Sequence, residues 1–177
     1  MRKFTIFGLA GTGTTSVGEL LAKNFGYKFV SSGGKFRDKS NELGMELNEF
    51  EKLCLRDPKY DIELDRFIAD FGRENINFVV ESRLAYRFIP DSIKIKLVCD
   101  YSTRIQRVAR RHSIPTSVAS EKTNFRERMA ERRYSKYYDI KKLAPDKKFQ
   151  IIIDTSRISI EKIVGKIVGR FNMTANA

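Results

Sequence analysis

A glycine-rich stretch directly after the first apolar run constrains the fold of this chain more than any other feature. Gly8 to Ser16 reads Gly-Leu-Ala-Gly-Thr-Gly-Thr-Thr-Ser and separates residues 4–7 from an amphipathic segment that starts at Val17. Glycines let the backbone turn tightly enough to aim successive N–H groups at one anion, and a helix N-terminus adds partial positive charge. The order of strand, glycine-rich turn and helix therefore predicts a phosphate-binding loop.

This loop departs from the usual phosphate-loop pattern, G-x-x-x-x-G-K-[ST], at one functional position. Gly8, Gly13 and Thr15 fit the pattern, but Thr14 stands where lysine is expected. That lysine normally neutralises phosphate charge during transfer. The alternative interpretation is a strand-to-helix turn that binds no ligand. The polar residues of the loop and the helix behind it favour phosphate binding.

Composition and length exclude several classes of protein. The chain has 177 residues, of which 41% are hydrophobic and 32% charged, and this predicts one globular domain with a real core. No apolar run approaches the roughly 20 residues of a membrane helix. Cys54 and Cys99 lie too far apart in sequence to indicate a metal motif or a disulfide framework. The first residues run straight into a strand, which leaves no room for a signal peptide, so we expect a cytoplasmic protein.

Five apolar runs predict a parallel sheet. They are Lys3–Phe7, Tyr27–Val30, Phe78–Glu81, Lys94–Val98 and Phe149–Ile153. Several are nearly continuous rather than alternating, which is typical of strands covered by helices on both faces. Helices are predicted over Thr15–Asn24, Lys35–Leu43, Leu47–Leu55, Ile62–Arg73, Thr103–Arg111, Ser117–Tyr138 (as one or two helices) and Ile160–Arg170, followed by a loose tail over 172–177. The expected fold class is α/β, a parallel five-stranded sheet flanked by helices.

Two stretches interrupt this alternation of strands and helices. Residues 33–71 lie between the second and third predicted strands, and residues 112–148 lie between the fourth and fifth. Each is too long for one crossover helix. We therefore expect a core of residues 1–32, 72–111 and 149–171 with two insertions that can close over a ligand at the carboxyl ends of the strands.

Arginines concentrate in these insertions and beside the strand ends. Arg37 and Arg83 follow the second and third predicted strands, and Arg126 and Arg133 are seven residues apart, hence on one helix face. The planar arginine fork donates two hydrogen bonds to phosphate and stays charged. The net charge of +12 likewise favours an anionic partner, either a nucleotide or a nucleic acid. A solvated basic face is the alternative interpretation for such arginines.

The carboxylates allow more than one interpretation. Glu81 ends the third predicted strand, where an acidic residue can hold Mg²⁺ through water. Asp57, Asp61 and Asp65 recur every four residues, which fits either helix capping and surface charge or hydrogen bonding to the exocyclic amine of a base. Spacing alone does not decide between the two. His112 is the only histidine, which argues against histidine-based acid–base or metal chemistry.

Together these features resemble the archaeal-type cytidylate kinases, a branch of the nucleoside monophosphate kinases. The resemblance covers nearly the whole chain, and some members of that family also lack the loop lysine. The stretches that carry it are Gly11–Ser16, Ser32–Arg37, residues 44–50, residues 57–65, residues 81–85, residues 104–111, Thr123–Arg126, Arg133–Tyr134 and Tyr137–Ile140. The chain departs from the family pattern at Gly34, Ser82, Asn124 and residues 141–143.

This resemblance implies a P-loop kinase fold, with residues 33–71 binding the nucleoside monophosphate and residues 112–148 forming a lid. It implies transfer of the γ-phosphate of ATP·Mg²⁺ to CMP or dCMP. The residues that would bind the donor phosphates are Gly8, Leu9, Ala10, Gly11, Thr12, Gly13, Thr14, Thr15 and Ser16. The residues that would bind the acceptor are Arg37, Asp61, Asp65 and Arg83. Four arginines would close over the transferring group, namely Arg107, Arg111, Arg126 and Arg133. Thr15 and Glu81 would hold Mg²⁺.

Two alternatives to this function remain at the level of sequence. The acceptor can differ, being AMP, UMP or a non-nucleotide alcohol. The chain can also be an RNA-binding or regulatory module that binds nucleotide without turnover. Its basic residues fall at expected phosphate positions rather than in one stripe, and it has no aromatic pattern typical of RNA-binding modules, so we do not expect a nucleic-acid partner. A monomer without a membrane partner is expected.

Overall fold

A single parallel sheet organises the computed structural model, which describes residues 2–172. Its strands are β1 (Lys3–Phe7), β2 (Lys28–Ser31), β3 (Phe78–Glu81), β4 (Ile93–Val98) and β5 (Ile151–Asp154). They lie in the order β2-β3-β1-β4-β5, and every neighbouring pair is parallel. The strand order reverses at β1, so the crevice outside its carboxyl end is where such a fold binds ligands. The predicted five-stranded parallel sheet is confirmed.

Eight helices accompany the sheet in the described part of the chain. They are α1 (Thr14–Phe25), α2 (Ser32–Glu42), α3 (Leu47–Arg56), α4 (Lys59–Glu74), α5 (Ala85–Phe88), α6 (Tyr101–His112), α7 (Thr116–Tyr138) and α8 (Ile160–Asn172), with a short 3₁₀ turn at Asp146–Lys148. The segment predicted as one or two helices is one helix, α7. The sequence analysis missed α5, because four residues are too few to show a helical period. Residues 173–177, which form most of the predicted tail, lie outside the described residues.

Helices cover the sheet on both faces. On one face, residues of β1, β4 and β5 pack against α1 and α8 through buried Phe4, Leu21, Ile95 and Ile167. On the other face, α4 and α5 pack on β3. Burial on both sides explains why the strands read as continuous apolar runs. Across residues 2–172, no helix combines the length and the apolar character needed to cross a bilayer.

The helices of the two predicted insertions meet above the carboxyl ends of the strands. α2, α3 and α4 fall within residues 33–71 apart from the first residue of α2 and the last three of α4, and α7 falls within residues 112–148. α3 packs directly against α7, which also packs against α6. His112 is exposed at the end of α6, as the sequence indicates. The space enclosed by these helices and the first loop holds the candidate site.

Candidate functional site

The loop between β1 and α1 presents a bare helix N-terminus. α1 begins at Thr14, and its N-cap residue, Gly13, adopts a left-handed conformation with φ 88°. No side chain caps this helix, and its first turn carries no acidic residue. The unpaired N–H groups of the first turn and the helix dipole therefore favour an anion here. A left-handed residue at position 13 is also the physical reason for glycine there.

The carboxylate of Glu81 lies next to this loop and is contacted by three hydroxyl groups. It ends β3 and lies in register with Ile6 of β1 and Ser31 of β2. Its carboxylate accepts hydrogen bonds from the hydroxyls of Thr14 at 2.9 Å, Thr15 at 3.2 Å and Ser31 at 2.5 Å. Thr14, which replaces the usual lysine, is thus tied to a carboxylate by a neutral hydroxyl. The loop gains order from this contact but gains no positive charge.

Two arginines of α6 brace the loop from behind. The Nε of Arg104 donates to the carbonyl oxygen of Ala10 at 2.9 Å, and its guanidinium pairs with Glu127 of α7. Arg107 donates to the carbonyl oxygens of Gly11 at 3.3 Å and Thr155 at 2.7 Å. Arg107 lines the cavity, but its guanidinium is engaged with the backbone. These contacts fix the shape of the loop before any ligand arrives.

A cavity of about 440 Å³ opens between the loop, α2, α4, α6 and α7. It brings together the predicted donor loop and all of the predicted acceptor residues and arginines. The predicted site residues that line it are Gly8, Leu9, Ala10, Gly11, Thr12, Gly13, Thr14, Thr15, Ser16, Arg37, Asp61, Asp65, Glu81, Arg83, Arg107, Arg111, Arg126 and Arg133. Residues that are distant in sequence therefore share one concave surface.

Three arginines of this cavity carry uncompensated charge. Within the described residues, Arg37, Arg83 and Arg111 form no ion pair. Burial and the neighbouring charge of Arg37 both lower the pKa of Arg111, although Glu81 opposes them. Crowded cations without carboxylate partners raise the electrostatic energy of an empty site, and an anion relieves it. The arrangement is suited to phosphate groups.

Arg126 and Arg133 lie on one face of α7 but have different surroundings. Arg133 is buried, with its side chain 3% exposed, and pairs with Glu51 of α3 and with Asp61 of α4 at 2.9 Å. Arg126 is less buried, lies 3.5 Å from the carboxylate of Glu51 and lines the cavity. Burial and the charge of Arg83 lower the pKa of Arg126, although Glu51 opposes them. Arg126 is therefore the more available of the two for a ligand.

The two aspartates of α4 that line the cavity both have raised pKa values. Burial raises the pKa of Asp61 to about 6, although the charge of Arg133 opposes it. Burial also raises the pKa of Asp65 to about 7, although the phenol of Tyr138 opposes it by donating a hydrogen bond at 2.5 Å. Carboxyl groups with raised pKa values in a cleft are typical of functional sites.

Oxygen donors suited to Mg²⁺ lie at the loop. The Thr15 hydroxyl and the Glu81 carboxylate are 3.2 Å apart at the start of α1. Among residues 2–172 there is no group of three or more His, Cys, Asp or Glu side chains arranged to hold a metal ion. Mg²⁺ commonly binds through one or two protein oxygens together with waters and substrate phosphates. The donor set here fits that mode rather than a metal site built from protein alone.

Sequence reasoning missed several residues that shape this site. Glu51, Thr155, Tyr138 and Ser31 all contact predicted site residues. One feature of the sequence indicates that Glu51 is buried: it follows Phe50 on a helix whose buried face also includes Cys54. A carboxylate on a buried face needs a partner, but the sequence does not say which.

The family model that matches this chain is cytidylate kinase-like, and two curated relatives are cytidylate kinases. Residues 4–157 match the family described as cytidylate kinase-like. The cytidylate kinase of Methanocella arvoryzae is 37% identical over 153 residues, which cover 86% of this chain and 87% of that protein. The cytidylate kinase of Pyrococcus abyssi is 38% identical over 162 residues, which cover 90% of this chain and 87% of that protein.

Solved structures show the same architecture at low sequence identity. An uncharacterized protein from Eubacterium ventriosum superposes with a TM-score of 0.69 at 18% identity, covering 97% of this chain and 99% of that one. A shikimate kinase from Bacteroides thetaiotaomicron superposes with a TM-score of 0.64 at 13% identity, covering 97% of this chain and 98% of that one. At such identities the likeness concerns the fold alone, and it confirms the predicted P-loop kinase fold.

Proposed function

Because the chain belongs to the cytidylate kinase-like family, we propose that it transfers the γ-phosphate of ATP to CMP or dCMP. An oxygen of the acceptor phosphate attacks the γ-phosphorus, the bond from that phosphorus to the ADP oxygen breaks, and ADP and the diphosphate leave. The acceptor phosphate is already anionic, so the reaction needs no strong general base. Relatives named cytidylate kinase support both the monophosphate kinase class and CMP as the acceptor.

One observation carries this proposal: the bare N-terminus of α1 and two unpaired arginines open into the same cavity. The backbone of residues 8–16 binds the donor phosphates. Arg37, on the helix α2 that follows β2, and Arg83, two residues after β3, bind the acceptor phosphate. Phosphoryl transfer depends mostly on such positioning and on charge neutralisation. The neighbouring positions of β1, β3 and β2 in the sheet support this assignment, because the loop after β1 and the segments after β3 and β2 then open into one cavity.

The cations closest in role to the missing lysine are Arg111 and Arg126. Both line the cavity, and neither is fully engaged by carboxylates. We propose that they close over the transferring phosphoryl group as its charge redistributes. Arg107 and Arg133 act beside them, Arg107 by holding the loop and Arg133 by holding the two insertions together.

Mg²⁺ is the proposed cofactor, bound together with ATP. When bound, it neutralises charge on the β- and γ-phosphates. The Thr15 hydroxyl and the Glu81 carboxylate are the residues that would hold the ion, Glu81 through water. Ser31 and Thr14 orient Glu81 for this task, since both donate hydrogen bonds to its carboxylate.

Steady-state phosphoryl transfer to a panel of acceptors tests this function. CMP, dCMP, UMP, AMP and shikimate are each offered with ATP and Mg²⁺ at fixed salt, and diphosphate formation is measured directly. We expect CMP and dCMP to have the largest kcat/KM. A protein that binds ATP but transfers phosphate to none of the monophosphates is a non-catalytic nucleotide-binding module, the alternative that Thr14 keeps open.

We further propose that the enzyme acts as a cytoplasmic monomer on small nucleotides rather than on nucleic acid. Every group assigned above to donor, acceptor and metal comes from one chain. Light scattering at assay concentration tests the oligomeric state. A dimer whose dissociation abolishes turnover would contradict this part of the proposal.

A further inference from the structure

The guanidinium of Arg104 joins the loop at residues 8–16 to α7. Its Nε donates to the carbonyl oxygen of Ala10 at 2.9 Å, and another of its nitrogens, Nη2, pairs with the carboxylate of Glu127. The side chains of Arg104 and Glu127 are 7% and 17% exposed, so both contacts lie largely out of water. Within residues 2–172, Glu127 is the one carboxylate that forms an ion pair with Arg104. The loop, α6 and α7 therefore meet at a single side chain.

The backbone of the loop lies directly against α6 at this point. A Cβ at Gly11 would overlap the carbonyl oxygen of Arg104 and lie 2.8 Å from its Cα, and Gly11 has a left-handed φ of 85°. Both the space and the conformation at position 11 therefore require glycine. Because the loop and α6 touch through their backbones, the Ala10–Gly11 peptide responds to any change in the position of Arg104.

The carbonyl group that Arg104 holds sets the direction of an N–H group. The carbonyl of Ala10 and the N–H of Gly11 belong to one planar trans peptide, so they point in opposite directions. Gly11 lines the cavity of the candidate site, whereas Arg104 is not among the described residues that do. Since the carbonyl points towards Arg104 and away from the cavity, the N–H of Gly11 points into the cavity. An N–H group aimed in this way is a donor for a phosphate oxygen.

A later peptide of the same loop has a support that does not involve α7. The hydroxyl of Thr155, which follows β5 and is fully buried, donates to the carbonyl oxygen of Thr12 at 2.9 Å. By the same geometry, this contact sets the direction of the N–H of Gly13. The loop therefore has two peptides held from separate places, one through Arg104 and α7 and one through Thr155.

A second contact between α6 and α7 lies beside the ion pair. The hydroxyl of Tyr101 donates to the amide oxygen of Asn124 at 3.0 Å, and the ring centroid of Tyr101 lies 5.9 Å from the guanidinium carbon of Arg104. Asn124 is one of the positions at which the chain departs from the family pattern, and here it anchors α7 to α6. Glu127 follows Asn124 by three residues, so both contacts lie on one side of α7. The position of α7 therefore determines the position of the Glu127 carboxylate.

We propose that Glu127 is a positioning residue for the donor nucleotide: by pairing with Arg104, it keeps the N–H of Gly11 turned towards the donor phosphates. The proposal rests on the donor site proposed above and not on the identity of the acceptor. Glu127 is not among the described residues that line the cavity, so it acts through Arg104 rather than on the nucleotide. A buried guanidinium that loses its carboxylate partner is strongly destabilised, and it then moves towards water and releases Ala10. Because α7 also carries Arg126, one helix both prepares the loop for ATP and brings a cation to the cavity.

Calorimetry of Glu127→Ala, with ATP and with CMP in turn, tests this proposal. We expect the Kd of ATP to rise about tenfold or more and the Kd of CMP to change by less than about twofold. Glu127→Gln keeps an acceptor oxygen without the charge and should give an intermediate Kd for ATP. Glu131→Ala, at an exposed position four residues later on α7, is the matched control and should bind both nucleotides as wild type does. An unchanged Kd of ATP in Glu127→Ala, or equal weakening of ATP and CMP, overturns the proposal.

Amide NMR separates positioning from a merely structural role. In protein made with ¹⁵N-labelled glycine, the N–H signals of Gly11 and Gly13 report ATP binding without turnover, because no acceptor is present. At saturating ATP, we expect the Gly11 signal to shift in wild type and to shift much less in Glu127→Ala. The Gly13 signal, whose peptide is held by Thr155, should shift in both proteins. Equal Gly11 shifts in the two proteins, or loss of both shifts in the variant, overturns the proposal.

Arg104→Lys completes a double-mutant cycle. One ammonium group cannot reproduce the arginine fork that contacts Ala10 and Glu127 together, so this variant should weaken ATP binding about as much as Glu127→Ala does. If the two residues act as one unit, the double variant should bind ATP within about twofold of Arg104→Lys, whereas additive losses overturn the proposal. These measurements need no turnover. A protein that shows the expected binding pattern but phosphorylates no monophosphate would therefore contradict the proposed function and support the role of Glu127.

Discussion

The carboxylate of Glu51 and the guanidinium of Arg133 form a buried ion pair that joins α3 to α7. Their side chains are 4% and 3% exposed, and the residues are 82 positions apart in sequence. The same carboxylate also lies beside Arg126, which lines the cavity. One buried acid therefore docks the two insertions and holds a cavity arginine in place.

Removing this charge should destabilise the protein. Glu51→Gln keeps the side-chain shape but leaves Arg133 with Asp61 as its one carboxylate partner. Loss of one member of a buried pair costs about 3–5 kcal/mol, so we expect the free energy of unfolding to fall by about that amount in urea denaturation. Glu63→Gln, at an exposed position on α4, is the control and should change it by less than about 0.5 kcal/mol. If Glu51→Gln and Glu63→Gln have the same free energy of unfolding, the ion pair between Glu51 and Arg133 contributes nothing to stability.

The space in front of Gly13 should belong to the donor phosphates. A Cβ at Gly13 would meet no atom within 4 Å, and the same holds for Gly44, which has a similar left-handed φ of 63°. Gly13→Ala and Gly44→Ala therefore cost similar backbone strain, about 1 kcal/mol. Only the first places a methyl group where the phosphate binds, so we expect it to abolish ATP binding in calorimetry while Gly44→Ala binds normally.

Local sequence patterns were sufficient to predict the framework of the fold. Continuous apolar runs predicted the five strands, and the glycine-rich stretch at residues 8–16 predicted the turn between the first strand and the first helix. These features depend on neighbours in sequence, so a single chain displays them. α5 was missed because it is one turn long. The predicted bounds of β1 and β3 agree with the structure, whereas those of β2, β4 and β5 differ by one or two residues because pairing rather than composition sets strand ends.

Ion pairs between residues that are distant in sequence could not be predicted from local sequence patterns. No local pattern indicates that Arg104 of α6 is buried, yet it packs against the loop and pairs with Glu127. Likewise, Arg126 and Arg133 share a face, as their spacing predicts, but only the fold shows that Glu51 engages both. A charged residue is buried where a distant partner compensates it, and no local pattern identifies that partner.

Arg37 and Arg83 should affect acceptor and donor differently. We expect Arg37→Ala or Arg83→Ala to weaken CMP binding by a few kcal/mol, the approximate contribution of a charged hydrogen bond in a desolvated site, with little effect on ATP binding. Arg128→Ala, at an exposed position on α7, is the matched control. Equal weakening of both ligands would indicate damage to the fold rather than loss of an acceptor contact.

The raised pKa of Asp65 has a consequence for stability. The folded-state pKa of about 7 lies above the unfolded value, so the folded state binds more protons between them. The stabilising effect is therefore complete below about pH 4 and is lost as pH rises towards about 7. We expect Asp65→Asn to be more stable than wild type at pH 8, by on the order of a few kcal/mol, and this gain to shrink in acid. Urea denaturation at several pH values measures the difference in the free energy of unfolding between Asp65→Asn and wild type. A stability gain of the variant that grows in acid would contradict the prediction.

Thr14 leaves the transferring phosphate without the usual lysine, so another cation must approach it. Arg126 is the best-placed candidate of α7, because it lines the cavity whereas Arg133 is committed to Glu51 and Asp61. An arginine that acts on the transition state of phosphoryl transfer contributes on the order of a thousandfold or more in rate. We expect Arg126→Ala to lower kcat by that order while changing KM for either substrate little, as for a contact made mainly in the transition state.

Restoring the lysine provides the decisive comparison. A lysine at position 14 replaces the neutral hydroxyl that now contacts Glu81 with a cation at the loop. We expect Thr14→Lys to recover part of the rate lost in Arg126→Ala, because both changes act on the same phosphate charge, and to affect the wild-type rate less. Single-turnover measurements separate this effect on chemistry from product release. Additive losses in the double variant, with no rescue, would show that Arg126 does not compensate for the absent lysine.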